Sequence, residues 1–139
     1  MNYGEIFSVF FIDLQSFFRK NIKITGATFP QLIALVAIPH DGIEMSSIAN
    51  KIGIDNSTAT RLLIGIEKKG WIRRSVSKFD KRVIEVFLTD KGEHLQQKIE
   101  KHIENVGLEI EKQIEPIDRN EVIESLSILN WALLKTKLK

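Results

Sequence analysis

Four neighbouring residues in the middle of the chain carry side chains that suit the binding of an anion. Ser57, Thr58, Thr60 and Arg61 would face outward from the first turns of a helix that starts near Asn56. The N–H groups and the dipole at a helix N-terminus favour an anion, and an arginine reaches a phosphate or a guanine edge. The alternative is that the hydroxyls only cap and solvate the helix start.

A second group follows at the tip of a predicted hairpin, where the sequence reads Phe79-Asp80-Lys81-Arg82. A guanidinium on an extended ribbon fits the narrow, negatively charged minor groove of double-stranded DNA. Asp80 stands two residues before Arg82, where it could hold a guanidinium in place or cap the turn. The alternative for Arg82 is an ordinary solvated arginine.

Both groups lie in the most basic part of the chain. Residues 61–82 contain eight basic and two acidic residues, a net charge of +6, whereas the whole chain carries only +2 and the remainder therefore −4. A run of charge can be no more than a solvated face. Its coincidence with the two groups favours a nucleic acid as partner.

The elements expected to position these side chains begin with three helices. Thr28 starts the first, which ends at Pro39 and Gly42. A short second helix runs from Met45 or Ser46 to about Lys51, without a clear hydroxyl cap. Residues 53–55 then form a tight turn, from which Asp55 caps a third helix that ends at Gly70. Helix, short glycine-containing turn and helix is the spacing of a helix-turn-helix.

A hairpin and two helical regions complete the predicted fold. Residues 71–76 and 82–88 are rich in strand-forming residues and are joined by a polar stretch, which predicts a wing directly after the third helix. The N-terminal helix, residues 5–20, is apolar on more than one face. Beyond Thr89 a single apolar stripe predicts a helix of about 25 residues, roughly 37 Å long, broken at Pro116. A last helix is expected to bury Val122, Leu126, Leu129, Leu133 and Leu134.

The terminal helices predict a partner subunit. A helix longer than the core of a domain this size needs a cover from outside, and an identical subunit is the simplest one. We therefore expect a single domain over residues 1–139, with a winged helix-turn-helix lobe at 28–92 and helical dimerisation regions at 1–27 and 93–139. The fold class is mainly α with a small β-hairpin wing.

The sequence from Asp80 to Thr89, followed by Lys91-Gly92, resembles the D-x-R-x-x-x-V-x-L-T-x-x-G signature of the MarR (multiple antibiotic resistance regulator) family. Further segments match that family's pattern in order and spacing, namely residues 48–49, 58–61 and 67–72, and Arg74. Ile64 and Gly65 depart from it, because members often carry polar or basic residues there. Readout of bases would then be confined to the first turns of the third helix.

The resemblance implies a homodimeric transcriptional regulator, a repressor in our interpretation, on a pseudo-palindromic operator in double-stranded DNA. Half-sites would lie about one helical turn, roughly 34 Å, apart. The predicted DNA contacts are Ser57, Thr58, Thr60, Arg61, Arg74, Lys81 and Arg82, with Asp80 bracing the wing. Many members are sensors of small molecules, so an effector is possible, and its binding residues are unknown. The alternative is a winged helix that binds a protein partner without reading DNA.

Other classes of function find little support in the sequence. The chain has no cysteine, which excludes disulfides, thiolate chemistry and cysteine-ligated zinc. It has no nucleophile elbow, phosphate loop, dinucleotide fingerprint or zincin motif, and we expect no enzyme, no cofactor and no metal. Aromatic residues such as Phe7, Phe10, Phe11, Phe29 and Trp71 could line an effector pocket, but aromatics at helical spacing are more often core. Without a secretory signal or an apolar run long enough for a bilayer, a cytoplasmic location is expected.

Overall fold

The computed structural model describes residues 1–136 of the chain. The helices are α1 Tyr3–Asn21, α2 Phe29–Ala37, α3 Met45–Ile52, α4 Asn56–Lys68, α5 Asp90–Glu111 and α6 Arg119–Thr136, with a single 3-10 turn at Pro116–Asp118. The strands are β1 Ile43–Glu44, β2 Ile72–Val76 and β3 Ile84–Leu88. Two compact units are present, Met1–Ile103 and Glu104–Lys139. Residues 137–139, the end of the predicted 93–139 helical region, lie outside the described part, and the single domain stays a prediction.

Side-chain caps mark the starts of α2 and α4. The Thr28 hydroxyl accepts from the backbone N–H of Gln31, and the Gln31 side chain accepts from the backbone N–H of Thr28, which completes a capping box at α2. Asp55 caps α4 by accepting from the Thr58 N–H. Glu44 precedes α3 without a side-chain cap. The predicted starts of these three helices are confirmed.

The sheet has the order β1-β3-β2, with both pairs antiparallel. β2 and β3 form the predicted hairpin wing. β1 was not predicted, because two residues carry no strand pattern of their own and pair only through Val86 and Glu85 of β3. The turn before β1 needs a glycine, since Gly42 has φ of 87° and a Cβ there would lie 2.4 Å from the ring of Phe87.

The core of the first unit lies where α2, α3 and α4 pack with β3 and the first half of α5. Its largest fully buried side chains are Leu35, Ile38, Ile48, Leu63, Ile66, Val86 and Ile99. The Gln96 amide of α5 donates to the backbone carbonyls of Leu35 and Ile38 at the end of α2, at 2.7 and 2.8 Å. The Ile38 carbonyl lies beyond the last turn of α2, while the Leu35 carbonyl also accepts the Ile38 N–H at 3.3 Å. The start of α5 is fastened to the lobe by polar as well as apolar contacts.

The second half of the chain departs from the prediction in two ways. α5 has 22 residues and ends at Glu111, so Ile114 and Ile117 of the predicted stripe lie beyond it. Two backbone turns, closed on the carbonyls of Ile110 and Glu111, end the helix ahead of Pro116. No described residue of α6 is buried, so the predicted burial of its apolar side chains is wrong within one subunit. Helical spacing shows which side chains share a face, but it does not supply the surface that covers them.

The N-terminal helix is equally uncovered. α1 has no buried residue, and Phe7, Phe10 and Phe11 are 45%, 49% and 64% exposed, so these aromatics are not core residues of the subunit. Trp71, by contrast, is buried. None of the helices within residues 1–136 combines the length and the apolarity that crossing a membrane requires.

Candidate nucleic-acid interface

The wing tip presents an arginine held by a neighbouring carboxylate. Arg82 donates from Nε to Oδ1 of Asp80 at 3.1 Å and from Nη2 to Oδ2 at 3.1 Å, and its backbone N–H donates to Oδ1 at 3.0 Å. The Arg82 side chain remains 91% exposed. The carboxylate therefore orients the guanidinium while leaving it open to a ligand, which is the arrangement expected of a brace.

The brace is ionised at neutral pH. Hydrogen bonds from the Arg82 side chain, and then from its backbone N–H, hold the pKa of Asp80 below its ordinary value of 3.8. Because the pKa is lowered in the folded state, the stabilisation of the fold by this contact is fully present above pH 3.8. That stabilisation is lost as the pH falls through the lower pKa that Asp80 has in the folded protein.

The first turns of α4 place Ser57, Thr58, Thr60 and Arg61 on the lobe that carries the wing, with Ser57 and Arg61 exposed. The Thr58 hydroxyl donates to Asp55 Oδ2 at 2.9 Å, and the Thr60 hydroxyl donates to a backbone carbonyl one turn earlier at 2.8 Å. With their protons engaged, both hydroxyls can still accept hydrogen bonds, for instance from base amino groups. Ser57 and Arg61 remain as donors for phosphate.

Asp55 changes what the helix N-terminus can bind. Its carboxylate accepts the Thr58 N–H at 2.7 Å, and hydrogen bonds from the backbone and then the side chain of Thr58 lower the pKa of Asp55. One backbone donor expected to face an anion is therefore occupied by a negative charge. Phosphate approach at α4 would rely more on side-chain donors, because the Asp55 carboxylate lies at the helix N-terminus.

An open groove of about 220 Å³ lies between the wing and the helix-turn-helix. Its lining is Met45, Ser46, Asn56, Thr60, Arg82, Val83 and Ile84. Thr60 and Arg82, predicted separately from the helix and the hairpin, thus border one concave surface. Ser46 and Asn56 were missed by the sequence reasoning. The position of Asn56 directly after the Asp55 cap is a signal that could have identified it.

Arg74 is engaged in the fold. Its Nε lies 3.2 Å from both carboxylate oxygens of Glu67, and its Nη2 donates to Oε1 at 3.0 Å. Hydrogen bonds from the Arg74 side chain lower the pKa of Glu67. Only 27% of the Arg74 side chain is exposed. This pair joins the last turns of α4 to β2. A role for Arg74 in binding DNA stays a prediction, as it does for Lys81, which is exposed.

Replacing Arg74 or Arg61 with alanine is expected to have opposite effects, the first on stability and the second on DNA binding. Arg74→Ala should lower the free energy of unfolding by about 1 kcal/mol, because it removes a forked, partly exposed ion pair. Arg61→Ala should change stability little and lower affinity for DNA about tenfold at each half-site, since Arg61 is exposed and its attraction to Asp55 is weaker than the Thr58 hydrogen bonds that hold that carboxylate. Thermal denaturation and fluorescence anisotropy with a labelled duplex measure the two effects. A loss of stability for Arg61→Ala together with a loss of DNA affinity alone for Arg74→Ala would contradict these roles.

Comparisons with known proteins find similar sequences over the lobe that carries these side chains. The sequence profile of the MarR family matches residues 37–84. The HTH-type transcriptional regulator YfiV of Bacillus subtilis is 32% identical over 114 residues, which are 79% of this chain and 69% of YfiV. The HTH-type transcriptional regulator TtmR of Methylorubrum extorquens is 36% identical over 84 residues, 60% of this chain, and the match spans only 43% of TtmR.

The fold is shared with a solved structure of a DNA complex. The crystal structure of Streptococcus pneumoniae FabT in complex with DNA matches with a TM-score of 0.79 and 19% identity, over 96% of each chain. The likeness confirms the predicted winged helix-turn-helix with additional helices at both ends. The profile match and the identity to YfiV show that the chain belongs to the MarR family of transcriptional regulators.

Proposed function

We propose that this protein regulates transcription by binding double-stranded DNA as a homodimer on an inverted-repeat operator. The observation that carries the proposal is the exposed set of donor side chains on the lobe. Ser57 and Arg61 on α4 and Lys81 and Arg82 on the wing lie in the basic segment or beside it, and Arg82 borders the groove described above. Such a set suits phosphate contacts along a duplex.

The recognition helix and the wing suit different grooves of the duplex. α4 is 13 residues long and begins with short polar side chains, which suits a recognition helix in the major groove. The wing carries its guanidinium on an exposed hairpin, which suits the adjacent minor groove. Isoleucine at 64 and glycine at 65 offer no hydrogen-bonding side chain, so base readout is assigned to the first turns of α4.

The dimer is proposed from two uncovered helices. α1 exposes Ile6, Phe7, Val9, Phe10, Phe11, Ile12 and Phe17, and α6 exposes Ile123, Leu126, Ile128, Trp131, Leu133 and Leu134. Apolar surface of this extent is unusual on a monomer in water. A second copy of the chain would bury it and would bring two recognition helices to half-sites about 34 Å apart.

The mechanism proposed is steric repression, in which the dimer occupies a promoter. Release by a small-molecule effector stays a prediction of the family resemblance. The competing function is a protein-interaction module, in which Arg61 and Arg82 would be replaceable without loss of function. Retention of function in both alanine variants would favour it.

Selection of bound sequences from a random duplex pool by the full chain tests the proposal. We expect an inverted repeat whose half-sites are about one helical turn apart, and a complex with two chains per duplex in sedimentation. Recovery of no enriched sequence, or a chain that sediments as a monomer at micromolar concentration, would overturn it.

A further inference from the structure

Phe79 is the most exposed large apolar side chain in the described part of the chain, at 98%. It occupies the apex of the wing, between the end of β2 and the start of β3. Its neighbours in the sequence are Lys78 before it, Asp80 directly after it, and then Lys81 and Arg82, a net charge of +2 from three basic residues and one acidic residue. An exposed phenyl ring beside these charges is a candidate contact for a ligand.

The turn itself does not need the ring. It is closed by bonds from the Ser77 N–H to the Val83 carbonyl at 2.9 Å and from the Val83 N–H to the Asp80 carbonyl at 3.0 Å. The Phe79 N–H donates to the Ser77 hydroxyl at 3.2 Å. Turns favour glycine, proline, asparagine, aspartate and serine, and an exposed ring gains nothing from the fold in water. These bonds nevertheless hold the backbone of Phe79 at a defined place.

The surroundings select the ligand. An excess of positive charge beside an apolar group complements a surface that is negatively charged at its rim and has stacked rings inside, which describes a DNA groove. Proteins that bend DNA insert apolar side chains between base steps from the minor groove while arginines neutralise the groove. Arg82, three residues away, is the side chain already assigned to that groove.

We propose that Phe79 enters the minor groove with Arg82 and wedges into a base step, which it partly unstacks. The inference rests on the proposed function, because it requires that the wing bind the minor groove. Unstacking costs least at pyrimidine–purine steps such as TA and CA. The operator should therefore carry such a step where each wing binds, and Phe79 should contribute to the choice of sequence without carrying a charge.

Three full-length proteins test this proposal: the wild type, Phe79→Ala and Lys78→Ala. Phe79→Ala should lower affinity for the selected operator about tenfold or more, as expected for loss of a ring stacked on bases, with an unchanged dependence on salt. Lys78→Ala is the matched control at the adjacent position, and any loss of affinity there should come with a shallower salt dependence. Both variants should keep the wild-type melting temperature, because both side chains lie on the surface.

A spectroscopic measurement reports the wedge directly. With 2-aminopurine in place of the adenine at the step under the wing, fluorescence should rise when the wild type or Phe79→Leu binds, and should not rise with Phe79→Ala. A pool selected by Phe79→Ala should lose the preference for a pyrimidine–purine step.

Equal affinity and equal fluorescence for the wild type and Phe79→Ala would overturn the wedge and leave the proposed function standing. Loss of affinity without any fluorescence change in the wild type would also overturn it. If the wild type binds no duplex, the proposed function fails, and the wedge fails with it.

Discussion

Replacing Arg82 with alanine is expected to weaken binding to the selected operator roughly 100-fold. One arginine contact to DNA commonly contributes about tenfold, and the proposed dimer carries two wings. The structure supports an effect confined to binding, because the side chain is 91% exposed and its hydrogen bonds within residues 1–136 are to Asp80. Anisotropy titration of a labelled duplex measures the affinity, and the melting temperature should not change.

Two further variants separate orientation from charge. Arg82→Lys keeps the positive charge but loses the forked pairing with Asp80, so its affinity should fall between those of the wild type and Arg82→Ala. Lys98→Ala removes an exposed cation of α5 outside the candidate interface and should change affinity less than about threefold. If Lys98→Ala and Arg82→Ala weaken binding equally, Arg82 is only part of a diffuse positive field.

Gly92→Ala is expected to lower the free energy of unfolding by about 3 kcal/mol or more, at the upper end of the cost of overpacking. A Cβ at this position would lie 1.8 Å from the backbone oxygen of Trp71. That oxygen accepts the Thr89 N–H at 3.1 Å, while the Thr89 hydroxyl donates to the Gly70 carbonyl and accepts the Gly92 N–H. The backbone here cannot shift without breaking the junction between the end of the wing and α5.

Gly65→Ala is the matched control. This glycine lies inside α4, and the nearest atom to an added Cβ is Nε2 of Gln31 at 3.6 Å, an ordinary contact. Alanine there should raise stability by about 0.5–1 kcal/mol, because glycine is a poor helix former. Thermal melts at one fixed protein concentration compare the two variants, since the melting temperature of a dimer depends on concentration. A Gly92→Ala protein as stable as the wild type would show that α5 does not approach Trp71 so closely.

Much of the lobe could be predicted because its signals are local. Thr28 and Asp55 cap helices through bonds that span three residues, and the wing follows from two strand-rich segments around a polar turn. Gly92 is a different case. The sequence shows that it matches a family signature, and only the structure shows the backbone carbonyl that makes a side chain impossible there.

The features that the sequence did not predict depend on contacts between distant segments. β1 exists only because Ile43 and Glu44 pair with β3, about 40 residues later. Arg74 was predicted to contact DNA, since nothing in the sequence indicates that Glu67, seven residues earlier, pairs with it. The apolar side chains of α6 were expected to be buried, and the subunit alone does not bury them, which is the observation that now supports a partner subunit.

Of all these tests, the dependence of operator affinity on salt addresses the central claim most directly. If the wild-type dimer binds the DNA backbone through its basic lobe and wings, affinity for the selected duplex should fall about a thousandfold or more between about 50 and about 200 mM salt, linearly on logarithmic axes. An affinity that stays constant over this range would contradict the claim that this surface binds DNA.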